Sequence, residues 1–282
     1  MVGMGQAVSG AVSGRAYNDA EVRAAIGLVA AQADLGPHRA TYVAAEWDRR
    51  RSTIAGVGLL SAVLVVLLGI ASGTAIVVIV GCTGTLLLGG LLLCDLLLRG
   101  YLHSRNGRVR MDLYERGLVA LVRGAPRVVR YDSTVLRRSI AEHASNPAPH
   151  QISHRYTVTD TLGDPIVLRH TIAEPDEWGP AIDAFVTAAQ LPEATRTLGS
   201  GAQLDFEHFW LTRTEIGAGG RAVPWSEVAE IAVRKGWVSV HLAGQARVLA
   251  SIPVSLVPNF TIFWQLAERM RTEANGVNSA SR

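Results

Sequence analysis

Four of the eight histidines in this 282-residue sequence lie close enough together along the chain to suggest a metal site. His150 and His154 have the i, i+4 spacing that places two zinc ligands on one face of a helix, and His143 and His170 flank them. Pro149 and its neighbours disfavour a helix in this segment, and no cysteine lies nearby. We therefore interpret the four histidines as solvated loop residues and predict no metal ligand among them.

The remaining motif-like patterns have structural explanations. The glycine-rich segment 217–221 lacks the Lys-Ser/Thr pair of a phosphate-binding loop and predicts a hairpin turn. The carboxylates within 174–177 stand at a predicted helix start, where they interact favourably with the helix dipole. Asp95 lies four residues before Arg99, and we interpret the two as an ion pair at a membrane interface. No catalytic residue and no cofactor are predicted, and the chain is not expected to be an enzyme.

The dominant feature of the sequence is a long apolar stretch. No charged residue occurs from Ser52 to Cys94. As one helix, residues 54–98 would measure about 67 Å, roughly twice the thickness of the hydrocarbon core of a bilayer. The small residues at 71–74 permit a tight reversal. The stretch therefore predicts two transmembrane helices that form a hairpin.

Arginine flanks both ends of this apolar stretch. Arg49-Arg50-Arg51 precede it, further arginines follow from Arg99 onward, and the connecting turn carries no charge. By the positive-inside rule both ends are cytoplasmic. Lys235 is the one lysine among 27 basic residues, which is typical of a GC-rich bacterial genome. We expect a multi-pass protein of the inner cell membrane with both termini in the cytoplasm.

Small residues recur on one face of the second predicted helix. Gly81, Thr85 and Gly89 stand four residues apart, and small residues at this spacing let helices approach closely. We favour packing of the hairpin on itself, because two adjacent helices must pack against each other. A contact with a second copy of the chain is the alternative.

After the apolar stretch the period of the pattern changes from helical to that of β-strands. Short runs such as 108–113 alternate polar and apolar residues and are separated by Gly, Pro and Asn turns. One series ends in a predicted helix at 174–189, and a second ends in a helix that begins after Asn259. The fold class is thus a membrane protein with an α+β cytoplasmic region. The predicted organisation is a flexible N-terminus with a short helix (1–50), a transmembrane helical hairpin (51–99), two β-rich units (104–192 and 200–275) and a tail (276–282).

Three short motifs relate this order of elements to a known fold. They are Leu113-Tyr114-Glu115-Arg116-Gly117-Leu118, Pro224-Trp225-Ser226-Glu227-Val228 and Val257-Pro258-Asn259-Phe260. Over residues 104–272 the chain resembles tandem pleckstrin-homology-like (PH-like) domains, as found behind a transmembrane hairpin in bacterial membrane proteins that are themselves uncharacterised. The resemblance implies two β-sandwich units, each closed by a helix, and binding rather than catalysis. It transfers no site, and the loop 115–117, with one acid and one base, does not support phosphoinositide binding.

Positive charge is concentrated just after the apolar stretch. Residues 99–140 contain ten arginines and three acidic residues, whereas the chain from 141 onward carries a net charge of −4. The overall charge of +3 does not indicate a nucleic-acid partner. A basic residue near an anionic leaflet contributes on the order of 1 kcal/mol to binding. We therefore predict that Arg108, Arg110 and Arg123 contact anionic lipid headgroups.

The sequence as a whole predicts a membrane-tethered, non-enzymatic binding or scaffold module at the cytoplasmic face of the inner membrane. Its expected partners are the lipid bilayer, anionic headgroups and an unidentified protein. The alternative is an accessory subunit of a larger membrane complex that recognises the transmembrane hairpin. Loss of complex formation after changes in the hairpin alone would favour that alternative.

Overall fold

The computed structural model describes residues 19–45, 50–106, 109–122, 124–143, 151–244 and 248–280, and it shows an α+β fold. The first elements are α1 (Asp19–Gln32), β1 (His38–Val43), α2 (Arg50–Ser72) and α3 (Ala75–Asn106). Next come β2 (Arg110–Tyr114), β3 (Gly117–Val122), β4 (Ala125–Arg130), β5 (Arg137–His143), β6 (Gln151–Thr159), β7 (Pro165–Arg169) and α4 (Pro175–Gly199). The last are β8 (Leu204–Asp205), β9 (Phe209–Leu211), β10 (Glu215–Ala218), β11 (Arg221–Pro224), β12 (Val228–Arg234), β13 (Trp237–Leu242), β14 (Val248–Pro253) and α5 (Phe260–Ala280).

The two halves of the β region share one order of elements. In the first β-unit, β1 to β4 form a four-stranded antiparallel meander, β5 to β7 form a three-stranded meander, and α4 follows. In the second β-unit, β8 to β11 and β12 to β14 form sheets of the same sizes, and α5 follows. Tyr131 comes directly after β4 and Trp225 directly after β11, and both are buried. The two aromatic residues thus occupy matching places after the fourth strand of each four-stranded sheet.

The first strand of the first β-unit precedes the helical hairpin. Val43 on β1 stands opposite Arg110 on β2, so α2 and α3 are inserted in the connection between two paired strands. We expected residues 38–43 within a flexible N-terminus, and we expected the first β-unit to begin at 104. The difference arises because β1 is short and mostly exposed, while the strand it pairs with lies beyond the whole hairpin.

The helices α2 and α3 pack against each other as an antiparallel hairpin. The reversal falls at Gly73, whose positive φ of 65° suits glycine, and Thr74 N–H donates to the carbonyl of Gly69 across it at 3.1 Å. Among the described residues one helical stretch, Ala75–Cys94, is long and apolar enough by length and composition to cross a membrane, with a mean hydropathy of 2.4. The apolar part of α2, Gly56–Ser72, is shorter. The predicted turn at 71–74 is confirmed, and α3 continues past the predicted end at 99 to Asn106.

Helix α4 connects the cores of the two β-units. Its first half buries Trp178, Ile182 and Val186 against the strands of the first β-unit. Its second half contributes Leu198, together with Leu191 and Ala194, to the core of the second β-unit. The sequence predicted that this helix ends near 189. It continues through Pro192 to Gly199 because this second apolar face packs on the following sheet.

A polar lock formed by Asn259 and Gln190 also holds the two β-units together. Asn259 N–H donates to the carbonyl of Leu136 at 2.8 Å, and its Oδ1 accepts from Leu136 N–H at 2.8 Å. Its Nδ2 donates to Gln190 Oε1 at 2.9 Å, and Gln190 Nε2 donates to the carbonyls of Tyr131 and Thr134 at 2.7 and 2.8 Å. Because side-chain and backbone groups of both units take part, the lock requires a defined arrangement of the two units.

The position of the hairpin in the β1–β2 connection leads to a test by loop replacement. Replacing residues 46–107 with a short Gly/Asn loop should leave a folded protein that is soluble without detergent, because β1 and β2 pair directly across the cut. Circular dichroism and cooperative thermal unfolding check this. A truncation that begins at residue 104 lacks β1 and exposes the edge of β2, so it should aggregate or unfold at a lower temperature. Equal stability of the two variants would contradict the assignment of β1.

Candidate functional site

The most unusual surface of the molecule is that of the hairpin formed by α2 and α3. Large apolar side chains point outward on every side of it, and Leu60, Ile76 and Leu86 are 73%, 74% and 77% exposed. Only 6% of the stretch Ala75–Cys94 is buried within the structure. A soluble surface helix shows one apolar stripe toward its core, whereas a helix that is apolar all round must be buried in protein or in lipid.

The small residues singled out in the sequence pack inside the hairpin. A Cβ on Gly81 would lie 2.7 Å from Val66 Cγ2 and 2.9 Å from Val66 N, so α2 approaches α3 too closely there for any side chain. Thr85 Oγ1 donates to the carbonyl of Gly81 at 2.8 Å within α3. Gly89 is packed more loosely, with Leu59 Cδ1 3.7 Å from the site of its Cβ. Close packing against α2 therefore accounts for Gly81, and the hairpin packing that we favoured for Thr85 and Gly89 stays a prediction.

The basic residues proposed for lipid contact are only partly described. Arg108 and Arg123 lie outside the described residues. Arg110 is 19% exposed, and its Nε and Nη2 donate to the two carboxylate oxygens of Asp112 at 2.7 and 2.9 Å. Met111 lies between Arg110 and Asp112, and Leu113 follows them. Both face the core, as the alternating pattern of residues 108–113 predicts. The charge of Arg110 is thus largely offset by a carboxylate two residues away on the same face of β2.

Asp112 is the centre of a polar cluster on the outer face of the first sheet. The residue is 2% exposed, and Thr41, directly opposite on β1, donates Oγ1–H to its Oδ1 at 2.5 Å. His38 Nε2 lies 3.4 Å from the same oxygen. Burial acts to raise the pKa of Asp112, but the hydrogen bonds from Arg110 and Thr41 and the charge of Arg110 outweigh it. The pKa of this carboxyl is therefore lower than its ordinary value.

Most other arginines of the first β-unit are also paired with acids. These pairs include residues far apart in sequence, such as Arg116 with Asp34 at 2.5 Å and Arg127 with the buried Asp160. The further pairs are Arg39–Glu115, Arg130–Asp132, Arg137–Glu207 and Arg138–Asp183. Two exposed arginines, Arg155 and Arg169, form no ion pair or hydrogen bond with a described residue. The net charge of +7 read from residues 99–140 therefore overstates the positive charge of the folded surface.

The histidines do not form a metal site among the described residues. No group of three or more His, Cys, Asp or Glu there is placed to hold a metal ion. His154 is buried in β6, with Nε2 2.8 Å from Asp176 Oδ1 at the start of α4, so its interpretation as a solvated loop residue was wrong. The alternation of His154, Tyr156 and Val158 on the inner face of β6 was the signal for burial. His150, and the side chains of His143 and Asp95, lie outside what the structure describes.

The tight contact at Gly81 can be tested against Gly90 on the same helix. Gly81→Val should lower the midpoint of thermal unfolding in detergent, because the added side chain forces α2 and α3 apart at a cost of about 1–3 kcal/mol. Gly90→Val is the matched control, since nothing lies within 4 Å of a Cβ at that position. Equal shifts in the two variants would show that the small face is not buried in the hairpin.

The charge of Asp112 should contribute stability that depends on pH. Because its folded-state pKa is depressed, this contribution is present above the ordinary pKa of an aspartate and is lost as pH falls through the folded-state value. Asp112→Asn should cost about 1–3 kcal/mol at pH 7, since Arg110 and Thr41 lose this carboxylate as a hydrogen-bond acceptor, and the difference from the wild type should shrink below about pH 4. Denaturant unfolding at several pH values checks this. Asp132→Asn is the control, because it removes a half-exposed partner of Arg130 and should cost less than about 1 kcal/mol. If the two variants lose the same stability at pH 7, Asp112 has no special role.

Comparison with known proteins places this architecture in a family. No curated protein and no solved structure matches the chain. The sequence profile of a family of unknown function, DUF6585, matches residues 23–275, a range that includes most of α1, the hairpin, all the strands and most of α5. Because this match includes most of the chain, the protein belongs to the DUF6585 family.

Proposed function

We propose that this protein is a membrane-tethered, non-enzymatic binding or scaffold module. Helices α2 and α3 cross the inner membrane as a hairpin, both chain termini are cytoplasmic, and two PH-like units lie at the cytoplasmic face. The proposal combines the apolar surface of the hairpin, the arginines at its two ends and the order of the strands.

The observation that carries the proposal is the exposed apolar surface of the hairpin. Contiguous apolar patches larger than a few hundred Å² are rare on soluble monomers. Here outward-facing leucine, isoleucine and valine side chains cover both helices from Ile54 to Leu97. The apolar part of α2, Gly56–Ser72, extends about 26 Å, and the uncharged residues from Ser52 onward lengthen it to about 32 Å, close to the roughly 30 Å of a hydrocarbon core. Lipid tails are the surroundings in which such a surface is stable.

The β-units support the PH-like part of the proposal. Each consists of a four-stranded meander, a three-stranded meander and a closing helix that buries aromatic residues. In the second unit Phe263 of α5 stacks on Phe209 with 4.8 Å between ring centroids and meets Phe206 at 5.4 Å. A helix that closes one end of a bent β-sandwich is the arrangement expected of a PH-like domain.

The way the hairpin joins the first β-unit supports a scaffold rather than a loosely attached domain. Both connections to the membrane helices start from neighbouring strands, at Val43 and Arg110. Helix α4 and the Asn259–Gln190 lock then hold the second β-unit on the first. Two connections from neighbouring strands keep the first β-unit close to one end of the hairpin. Gly81 packs within the hairpin, so the small residues give no support to the alternative of an accessory subunit recognised through them.

Cysteine labelling tests the proposed topology. In a background without Cys82 and Cys94, Thr74→Cys in the α2–α3 turn should react with an impermeant maleimide on intact cells. Ser200→Cys, exposed after α4, should react only after lysis. The protein should also remain in the membrane pellet after alkaline carbonate washing, because its apolar hairpin is embedded in lipid. Labelling of Ser200→Cys on intact cells, or release by carbonate, would overturn the proposal.

A further inference from the structure

Among the described side chains of the first β-unit, ion pairing leaves two arginines without partners. Nine arginines between β1 and β7, outside the hairpin, have described side chains, and seven of them form ion pairs with acids. The remaining two, Arg155 on β6 and Arg169 on β7, are both exposed and form neither an ion pair nor a hydrogen bond with a described residue. The contrast with their seven neighbours makes this pair the strongest unneutralised charge of the unit among the described residues.

These two arginines stand directly opposite each other on the second sheet. Arg155 pairs with Arg169 in the β6–β7 register. Their neighbours Tyr156 and Leu168 face the core, so both guanidinium groups are on the outer face. Directly opposite side chains lie about 5 Å apart at Cβ, and like charges in such pairs are destabilising. An anion between the two groups would remove this repulsion.

The arginine pair lies near the root of the hairpin. The segment after β7 pairs with the chain after β1: Ala45 N–H donates to the carbonyl of Thr171 at 2.8 Å, and Ala173 N–H donates to that of Val43 at 2.9 Å. Arg169 is two residues before Thr171. Only four residues stand between Ala45 and Arg50 at the start of α2, and these five Cα-to-Cα steps reach at most about 17 Å.

We propose that Arg155 and Arg169 form a phosphate-binding pair that contacts the headgroup phosphates of the leaflet next to the hairpin. This inference rests on the membrane attachment proposed above. Two guanidinium groups side by side offer parallel N–H donors that match phosphate oxygens, and Val167 adds a half-exposed apolar side chain on the same face. The pair holds the outer face of β6 and β7 toward an anionic membrane and so sets the orientation of both β-units.

The experiment uses the full chain in lipid nanodiscs. A fluorophore on Val167→Cys, in a background without Cys82 and Cys94, reports energy transfer to a headgroup-labelled lipid. Transfer should be high in discs that contain phosphatidylglycerol and low in phosphatidylcholine discs, and it should fall when salt is raised from 50 to 500 mM, because salt screens the attraction. The double variant Arg155→Gln/Arg169→Gln should lower the ratio of docked to undocked protein about 25-fold, or about fivefold for each arginine.

Arg213→Gln/Arg221→Gln is the matched control, because both of these arginines are exposed in the second β-unit. It should leave the energy transfer unchanged. Equal transfer in anionic and neutral discs, or equal losses in the two double variants, would overturn the inference. Binding of inorganic phosphate by the wild type in neutral discs, lost in Arg155→Gln/Arg169→Gln without any dependence on anionic lipid, would assign the pair to a free phosphate and overturn the lipid assignment. Failure of the protein to insert into discs would instead contradict the proposed membrane attachment.

Discussion

The architecture depends on one constraint, the pairing of β1 with β2 across an inserted helical hairpin. Antiparallel neighbours are about 5 Å apart, so the chain must leave the first sheet and return to it at nearly the same point. Two antiparallel helices satisfy this requirement, because both of their free ends lie at the same end of the hairpin, although α3 is the longer helix. The hairpin and the sheet therefore share a root, and the bridge between Ala44 and Ile172 adds the second sheet to it. The two chain connections between the hairpin and the β region therefore start from neighbouring strands of one sheet.

A buried polar cluster around Asp112 lies close to this root. The outer face of the first sheet is covered by α1, which packs Val22 and Ile26 against Tyr114 and Val119. Near the root, the carboxylate of Asp112 on β2 accepts hydrogen bonds from the guanidinium of Arg110 and from the hydroxyl of Thr41 on β1. Exposed ion pairs contribute little to the free energy of unfolding, although they neutralise surface charge. Removing one partner of a buried ion pair destabilises the protein much more, because the other charge is left buried without a partner. The cluster therefore ties β1 to β2 at the end where the hairpin departs.

The two β-units form a connected structure because several interactions span them. Helix α4 contributes to both cores, Asn259 bonds to the backbone of Leu136, and Arg138 lies 4.9 Å over the ring of Phe260 while it pairs with Asp183. Asp183 also accepts a hydrogen bond from Thr261 at 2.7 Å. Asn259 adopts a positive φ of 48°, which asparagine tolerates better than most residues and which lets its backbone and side chain face the same strand. A ligand bound on one unit would therefore be held at a fixed position relative to the other unit.

The amino-acid sequence by itself determined the helical hairpin, its turn at 71–74 and most of the strands, because hydropathy and the period of apolar residues are local properties. The sequence also predicted the face of small residues that includes Gly81, because residues four apart along a helix lie on the same side of it. Only the tertiary structure decided that residues 38–43 complete the first sheet, that α4 serves two cores and that His154 is buried. The tertiary structure also decided which of the described arginines are paired. The acids that neutralise Arg116 and Arg127 come from distant segments, whereas Arg155 and Arg169 stand opposite each other on neighbouring strands. Net charge along the chain cannot predict such pairs, since ion pairing depends on distances of a few Å between side chains that only the fold brings together.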